Sequence, residues 1–282
     1  MIELSAALRP REGETPADVA RRAARLGFRG VSIGFDHRWT DSDLIAIRQA
    51  FDEAGVHIVE LGCYCNFVTP REDEAQRNLA RLQKAIQAGA LLNCDRAVTY
   101  AGSRGPDPDQ PFAPDPENWT DPAWDLMVAR IWALLDSVED LGVALCFEPA
   151  PTTTLNSLDC LAELVADVAT WRVRIALDPA AIFTPDAAED SRRALAEIFA
   201  RLADTIVVAR ATDVAPARRG PEPTAVAAPL GRGVLHYETY LQLLDKLELD
   251  TPLVVKHMGS DAEYTAARQF LMDAAEKAGV KL

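Results

Sequence analysis

The feature that most constrains the fold is a pattern repeated along the whole chain: a helix-like segment, a glycine, then a short run rich in Val, Ile and Leu. In the segment 41–54, for example, Leu44, Ile47 and Phe51 share one helical face, and a strand-like run follows at 57–62. Glycine suits the end of a helix because it adopts left-handed backbone conformations at little cost. Regular alternation of helices and strands is typical of a parallel sheet.

Eight such units can be counted. The predicted strands cover residues 2–7, 28–34, 57–62, 96–100, 143–148, 173–178, 205–210 and 253–256. The predicted helices cover residues 15–26, 41–54, 72–88, 122–140, 156–169, 187–202, 236–247 and 261–278. Eight units favour a closed (β/α)8 TIM barrel over an open doubly wound sheet. No glycine-rich phosphate fingerprint follows the first strand, where Leu8-Arg9-Pro10 stands. At 282 residues the chain is expected to form one barrel domain over 1–282.

Composition excludes several classes of function. The net charge of −14 repels a phosphate backbone, which argues against a nucleic-acid partner. No apolar run approaches the roughly 18 residues that cross a bilayer, so no membrane association is expected. The N-terminus has no basic segment typical of a signal peptide, which predicts a cytoplasmic protein. The five cysteines lack the spacing of a metal or redox pair and are predicted to be reduced, packed thiols.

Four late strands each end in a charge, and this is the strongest functional signal in the chain. The residues are Glu148, Asp178, Arg210 and Lys256. Side chains alternate along a strand, so all four can point into the barrel at its carboxyl-terminal rim, where barrel enzymes place their sites. His257 should then face away and pack against a helix. The four charges can also satisfy one another, but buried ion pairs add little net stability, so a role in ligand binding is favoured.

Weaker candidates lie near earlier strand ends and in two proline-rich segments. Glu60 and Asn66 stand near the end of the third strand and can reach the cavity, and Asp36, His37 and Trp39 follow the second strand. A structural role is an equal alternative for each of them.

Two long segments that follow strands are predicted to be irregular loops on the same face. They cover 102–122, which carries Trp119, and 214–229. Long loops at this face of a barrel often act as lids. Trp119 is a candidate to cover a sugar ring, with a simple anchoring role as the alternative.

Taken in order, these motifs resemble the xylose isomerase-like TIM barrels of the sugar phosphate isomerase/epimerase superfamily, over the whole chain. The resemblance is carried by Glu148-Pro149, Leu177-Asp178-Pro179, Ala209-Arg210-Ala211-Thr212-Asp213-Val214, Leu230-Gly231-Arg232-Gly233 followed by Tyr237 and Tyr240, and Pro252-Leu253-Val254-Val255-Lys256-His257. In that family Glu, Asp, His and Glu hold a divalent metal. The two glutamates also move protons next to a carbonyl group.

The sequence departs from the family at two of the four metal-ligand positions. Arg210 stands where the family has histidine, and Lys256 stands where it usually has glutamate. Arginine has no free lone pair for a metal, and a protonated lysine has none either. Two fixed cations would repel an incoming ion by roughly several kcal/mol. The expectation is therefore a site without a cofactor, in which the two cations replace the metal. The alternative is Mn, Mg or Zn bound at Glu148 and Asp178.

The resemblance implies a divergent isomerase or epimerase acting on a small hydroxy-carbonyl or sugar-acid ligand. The proposed catalytic residues are Glu148, as the base, and Lys256. The proposed substrate-binding residues are Asp178, Arg210, Arg232, Glu60 and Asn66. Two alternatives stay open: a Schiff-base lyase that uses Lys256, and a catalytically degenerate barrel that binds a small ligand or a protein partner. Related barrels often form dimers or tetramers, which leaves a homo-oligomer open, but the sequence does not fix the oligomeric state.

Overall fold

Parallel strands close into an eight-stranded barrel in the computed structural model, which describes residues 2–107, 110–219 and 222–282. The barrel strands are β1 Leu4–Ala7, β2 Gly30–Gly34, β3 His57–Gly62, β4 Arg96–Thr99, β5 Ala144–Phe147, β6 Val173–Leu177, β7 Ile206–Ala211 and β10 Leu253–Val255. Two further strands, β8 Asp213–Arg219 and β9 Glu222–Ala228, form a separate sheet. Around the barrel the order is β1-β10-β7-β6-β5-β4-β3-β2. The ring closes where Leu4 of β1 pairs with Leu253 of β10. The predicted (β/α)8 fold is confirmed.

Helices surround this barrel. They are α1 Pro16–Leu26, α2 Asp41–Glu53, α3 Glu72–Leu92, α4 Asp121–Asp136, α5 Leu158–Val168, α6 Pro179–Ile182, α7 Pro185–Glu189, α8 Ser191–Leu202, α9 Tyr237–Asp245 and α10 Asp261–Ala278. Short 3-10 turns cover Pro116–Trp119 and Ala203–Thr205. In the described ranges, none of these helices has both the length and the apolar character needed to cross a membrane.

The first helix shows how the sequence sets its own boundaries. The Thr15 hydroxyl accepts a hydrogen bond from the Asp18 N–H, and the Asp18 side chain accepts one from the Thr15 N–H. Pro16 follows at the first helical position, where its missing N–H is not needed. Gly27 ends the helix with a φ of 78°, in the left-handed region. The predicted boundaries of this unit are therefore confirmed.

Three predicted helices differ by more than two residues from those observed. The fourth was predicted to reach residue 140, but α4 ends at Asp136. Gly89 was predicted to end the third helix, but it lies inside α3, which continues to Leu92. Glycine is needed there for packing, because a Cβ at Gly89 would lie 2.8 Å from the Cys94 carbonyl oxygen. The predicted helix 187–202 is interrupted at Asp190, whose side chain accepts the Arg193 N–H and starts α8.

The barrel interior is filled by small and β-branched side chains below the charged residues. This cluster includes Val98, Ala144, Cys146, Ala176, Val208 and Val254. The predicted inward positions are therefore confirmed. Val207 was predicted to face the helices, but it joins the interior cluster because the pairing of β6 with β7 skips one residue there. All five cysteines are free, and four of them are buried.

The segment 214–229, predicted as an irregular loop, lies mostly in an antiparallel ribbon formed by β8 and β9, and its residues 220–221 lie outside the described residues. Its register pairs Asp213 with Ala228 and Pro216 with Ala225. Each strand of a two-stranded ribbon has a free edge, and proline is tolerated on an edge because no ladder partner needs its missing N–H. The prolines of this segment therefore did not exclude a strand, and the prediction of a loop was wrong.

The other proline-rich segment, 102–122, is anchored by one buried asparagine. The Asn118 side chain accepts the Arg104 N–H at 2.6 Å and donates to the Thr152 carbonyl at 2.7 Å. Trp119 is 54% exposed and donates to the Thr153 carbonyl at 3.3 Å. Residues 108–109 of this segment lie outside the described residues. Asn118 thus joins the two ends of the segment to each other and to the residues that follow β5.

Candidate active site

Five charged side chains form a continuous series of ion pairs at the carboxyl-terminal mouth of the barrel. Glu60 lies in β3 and Arg210 in β7, while Glu148, Asp178 and Lys256 directly follow β5, β6 and β10. The series runs Glu60, Arg210, Glu148, Lys256, Asp178. We call these five residues the ion-pair chain. Charges alternate along it, and it sums to −1 with every group ionised.

Arg210 joins the first two carboxylates of this chain. Its Nη1 lies 2.7 Å from Glu60 Oε2, while its Nε and Nη2 lie 2.8 and 2.5 Å from Glu148 Oε2. The side chains of Arg210 and Glu60 are each only 1% exposed. The planar guanidinium group is suited to binding two carboxylates at once, because its donors form a rigid fork. Arg210 therefore joins β3 to β5 across the barrel.

Lys256 occupies the space between the other two carboxylates. Its Nζ lies 2.6 Å from Glu148 Oε1 and 2.7 Å from Asp178 Oδ2. The second oxygen of Asp178 accepts the Thr212 hydroxyl at 2.5 Å and the Ala180 N–H at 3.1 Å. Both oxygens of Asp178 are thereby held in fixed directions.

Within the ion-pair chain, neighbouring charges determine the protonation of Glu148 and Lys256. Burial acts to raise the pKa of Glu148, but Arg210 and Lys256 outweigh it and lower that pKa to about 2. Burial acts to lower the pKa of Lys256, and the charges of Asp178 and Glu148 outweigh it and raise that pKa. At neutral pH Glu148 is therefore a carboxylate and Lys256 an ammonium. An ammonium cannot attack a carbonyl carbon, which argues against the Schiff-base alternative.

The residues at the mouth do not fit the divalent metal that the resemblance implies. The oxygens of Glu148 and Asp178 that face each other both contact the Lys256 ammonium, so an ion placed between them would meet a positive charge. Arg210, on the other side of Glu148, has no lone pair to offer. Within the described parts of the chain, no three His, Cys, Asp or Glu side chains are grouped so as to hold a metal ion.

Tyr64 belongs to this site although the sequence analysis did not select it. Its hydroxyl donates to Glu148 Oε2 at 3.0 Å and accepts from Arg210 Nη2 at 3.1 Å. The ring lies against Gly62, where a Cβ would come within 2.9 Å of it. Tyr64 lies two residues beyond the end of β3, so alternation along the strand gave no signal for it.

We expect Tyr64→Phe to destabilise the protein by about 1–2 kcal/mol, because it removes a hydroxyl that hydrogen-bonds to two charged groups. The measurement is urea unfolding at pH 7. Tyr100→Phe is the matched control, since Tyr100 stacks on Tyr64 with ring centroids 5.6 Å apart and lies outside the ion-pair chain. Equal losses in the two variants would show that the Tyr64 hydroxyl has no special contribution.

Two residues predicted to bind substrate lie away from the ion-pair chain. Asn66 is buried, donates to the Ser103 carbonyl at 2.7 Å and accepts the Val68 N–H at 3.2 Å. It joins the segments that follow β3 and β4. Arg232 is exposed in the loop before α9. The structure therefore brings Glu60, Asp178 and Arg210 together with the two proposed catalytic residues, and leaves Asn66 and Arg232 apart.

His257 and Trp119 also differ from expectation. His257 has a left-handed backbone, with a φ of 64°, which breaks the alternation of β10. Its side chain is exposed and lines the mouth instead of packing against a helix. The aromatic residue of the proline-rich segment that lines the cavity is Phe112, not Trp119. Both corrections concern residues beyond a strand end, where alternation no longer applies.

A cavity of about 710 Å³ opens above the ion-pair chain. One wall of it is formed by Glu60, Tyr64, Glu148, Arg210 and Lys256. Its size lies within the roughly 300–1,000 Å³ of small-molecule sites. The opposite part, near β1 and β2, is lined by apolar side chains. The arrangement can therefore bind a small molecule beside a carboxylate that two fixed cations hold ionised.

Comparison with known proteins identifies relatives of the same architecture. The model of a family described as "Xylose isomerase-like TIM barrel" matches residues 20–277. A search of curated proteins finds no match.

Several solved structures resemble the chain over nearly its whole length. A xylose isomerase domain protein from Planctomyces limnophilus has a TM-score of 0.73 and 17% identity, covering 99% of this chain and 97% of its own. A xylose isomerase-like TIM barrel protein from Mycobacterium smegmatis, solved in complex with magnesium, has a TM-score of 0.72 and 16% identity. The match covers 98% of this chain and 97% of that protein's chain. The 3-keto-D-glucoside 4-epimerase of E. coli has a TM-score of 0.72 and 15% identity. The match covers 97% of this chain and 100% of that enzyme's chain. At such identities the likeness shows the fold alone.

Proposed function

The chain belongs to the family of xylose isomerase-like TIM barrels, and from this we propose that it is a divergent isomerase or epimerase of a small hydroxy-carbonyl or sugar-acid ligand that works without a metal ion. One observation carries the proposal. The Glu148 carboxylate lies at the wall of the cavity between two fixed cations, Arg210 and Lys256. A base next to cations is what proton removal beside a carbonyl requires, since negative charge develops on the carbonyl oxygen.

In the proposed reaction Glu148 removes the proton from the carbon next to the substrate carbonyl. The C–H electron pair forms a carbon–carbon double bond, the carbonyl pair moves to oxygen, and Lys256 donates a hydrogen bond to that oxygen. Return of the proton to the former carbonyl carbon, with the neighbouring hydroxyl proton passing to the oxygen, gives the isomer. An epimer needs a proton on the opposite face of the original carbon. A water molecule supplies it, and the hydroxide that remains is neutralised by the proton that Glu148 releases to solvent.

A carboxylate with a pKa of about 2 is a weak base, so substrate binding has to raise the basicity of Glu148. Lys256 provides a way to do so. When its Nζ donates to a substrate oxygen, it no longer compensates Glu148 Oε1 to the same extent. Loss of one charge partner in a desolvated site raises the pKa of the remaining carboxylate. In this proposal the ligand itself activates the base.

Deuterium exchange tests the proposed reaction. We expect the protein to catalyse incorporation of deuterium from D2O into carbon-bound positions of D-fructose or D-glucuronate in the presence of EDTA, followed by proton NMR. Glu148→Gln should slow the exchange by about 10² to 10⁴ fold, because it removes the base. Glu53→Gln on the exposed face of α2 is the control and should leave it unchanged. Exchange that survives Glu148→Gln, or that needs an added divalent ion, contradicts the proposal.

A second candidate is a barrel that binds its ligand without turnover. The observation that favours it is that Arg210 already directs Nε and both terminal nitrogens at protein acceptors. An arginine so occupied supports the architecture of the mouth before any ligand arrives. Ligand binding by calorimetry, with no deuterium exchange for the same compound, would favour this candidate.

A further inference from the structure

The cavity at the barrel mouth has two chemically different ends. We propose that the ligand of this site carries an apolar ring or short chain beside its hydroxy-carbonyl or acidic group, an inference that rests on the proposed function. The apolar end, here called the apolar arm, lies where the segments after β1 and β2 meet α1 and α2. It is lined by Leu8, Pro10, Val19, Ile33, Trp39 and Ile47.

The two ends are separated by the alternation of a single strand. In β2 the Ser32 hydroxyl points into the barrel and donates to Glu60 Oε1 at 2.5 Å. The next residue, Ile33, packs with the apolar core outside the barrel. The boundary between polar and apolar surface therefore follows from the pleat of β2, and the cavity extends across it.

The deep part of the apolar arm consists of core side chains. Val19 of α1 and Ile47 of α2 are 2% and 6% exposed and belong to the main hydrophobic core. Trp39 is half-buried beside them and makes an edge contact with Phe35, with ring centroids 6.2 Å apart. The polar side chains of Arg9 and His257, which also line the cavity, are exposed. A ligand group that enters the arm thus meets aliphatic and aromatic surface.

A hydroxyl-rich ligand is a poor occupant of this arm. Each hydroxyl buried without a hydrogen-bond partner costs roughly 1–3 kcal/mol, whereas an apolar group gains from leaving water. The charged wall of the cavity offers the opposite environment, with the Lys256 ammonium, the Tyr64 hydroxyl and carboxylates. A cavity of about 710 Å³ with these two ends suits an amphiphilic molecule, such as a sugar acid that carries an aglycone.

Calorimetric binding of two probes tests this inference. D-glucuronate has the acidic, hydroxylated group alone, and phenyl β-D-glucuronide adds one apolar ring. We expect the phenyl compound to bind about tenfold to a hundredfold more tightly, which is the gain from burying one ring. Trp39→Ala and Ile33→Ser should remove most of that advantage while leaving the affinity for glucuronate within about twofold of the unchanged protein.

The controls separate the possible failures. Trp132→Ala removes an exposed tryptophan on α4, away from the cavity, and should keep the preference for the phenyl compound. Thermal unfolding checks that each variant is folded, and the milder Ile33→Ser serves if Trp39→Ala is not. Equal binding of the two probes overturns the apolar arm as a ligand site and leaves the proposed function standing. Failure of both probes to bind at millimolar concentration overturns the two together.

Discussion

Replacing Arg210 by methionine is expected to destabilise the protein by about 3–5 kcal/mol at pH 7, the range found when one partner of a buried ion pair is removed. The variant leaves Glu60, whose side chain is 1% exposed, without its cation. It also deprives Glu148 of one of its two partners. Methionine fills much of the same volume as arginine. The loss of stability is therefore caused mainly by the missing charge and less by a cavity.

The pH dependence identifies the cause of this loss. In the unchanged protein the pKa of Glu148 is lowered from 4.5 to about 2, so the stabilisation it brings is complete above about pH 4.5 and disappears as the pH falls toward 2. Without Arg210 the pKa of Glu148 in the folded state rises, and a protonated carboxyl is buried at lower cost. The difference between variant and unchanged protein should therefore be largest at neutral pH and shrink on acidification.

The measurement is urea unfolding of both proteins at several pH values between 3 and 7. Arg38→Met is the matched control, because Arg38 pairs with Asp36 at 2.5 Å but is largely exposed. Exposed ion pairs contribute little, so that variant should change stability only slightly. A penalty for Arg210→Met that stays constant from pH 7 to pH 3 would mean that lost packing, not an uncompensated carboxylate, is responsible.

The double variant Arg210→His with Lys256→Glu is expected to bind one Mn²⁺ per chain at least about a hundredfold more tightly than the unchanged protein. The two substitutions introduce the histidine and the glutamate that the resemblance implies for these positions. They turn the charge of the ion-pair chain from −1 to −4 and remove two cations that each repel the ion by roughly several kcal/mol. Carboxylates and imidazole are also suitable ligands for Mn²⁺.

Calorimetry with metal-free protein measures this difference. Lys256→Gln is the control, because it removes one cation, adds no carboxylate and leaves Arg210 bound to Glu148. It should bind Mn²⁺ much more weakly than the double variant. Stoichiometric Mn²⁺, Mg²⁺ or Zn²⁺ in the unchanged protein, found by elemental analysis after purification, would contradict the proposal that Arg210 and Lys256 have replaced the ion.

Much of the barrel could be predicted because the hydrophobic periodicity of the helices and strands agrees with the positions of the glycines and capping residues between them. The inward positions of β5, β6, β7 and β10 followed from alternation, which also placed Glu148, Asp178, Arg210 and Lys256 at one rim. Alternation describes regular strands, so it gave the correct face wherever the strand stayed regular. It was wrong for Val207 because a register shift intervenes there.

The errors concern residues whose surroundings come from distant parts of the chain. Gly89 resembled a helix end, yet a Cβ there would also lie 3.0 Å from Val143, which stands just before β5. Tyr64 follows the end of β3 and gains its partners only when β5 and β7 are adjacent. Asn66 and Arg232 were selected by position along the chain, which does not determine where a side chain beyond a strand end points.

The cavity has its charged wall on β3, β5, β7 and β10 and its apolar arm on the first two βα units. In the function and ligand proposed above, proton transfer and recognition of the ligand's tail therefore depend on different parts of the sequence. We expect that exchanging the loops after β1 and β2 changes the preference for the tail and keeps the reaction, whereas replacing Arg210 in β7 impairs the reaction. Sequence differences among descendants that differ in this preference should therefore be concentrated between residues 8 and 47, which include the lining of the apolar arm.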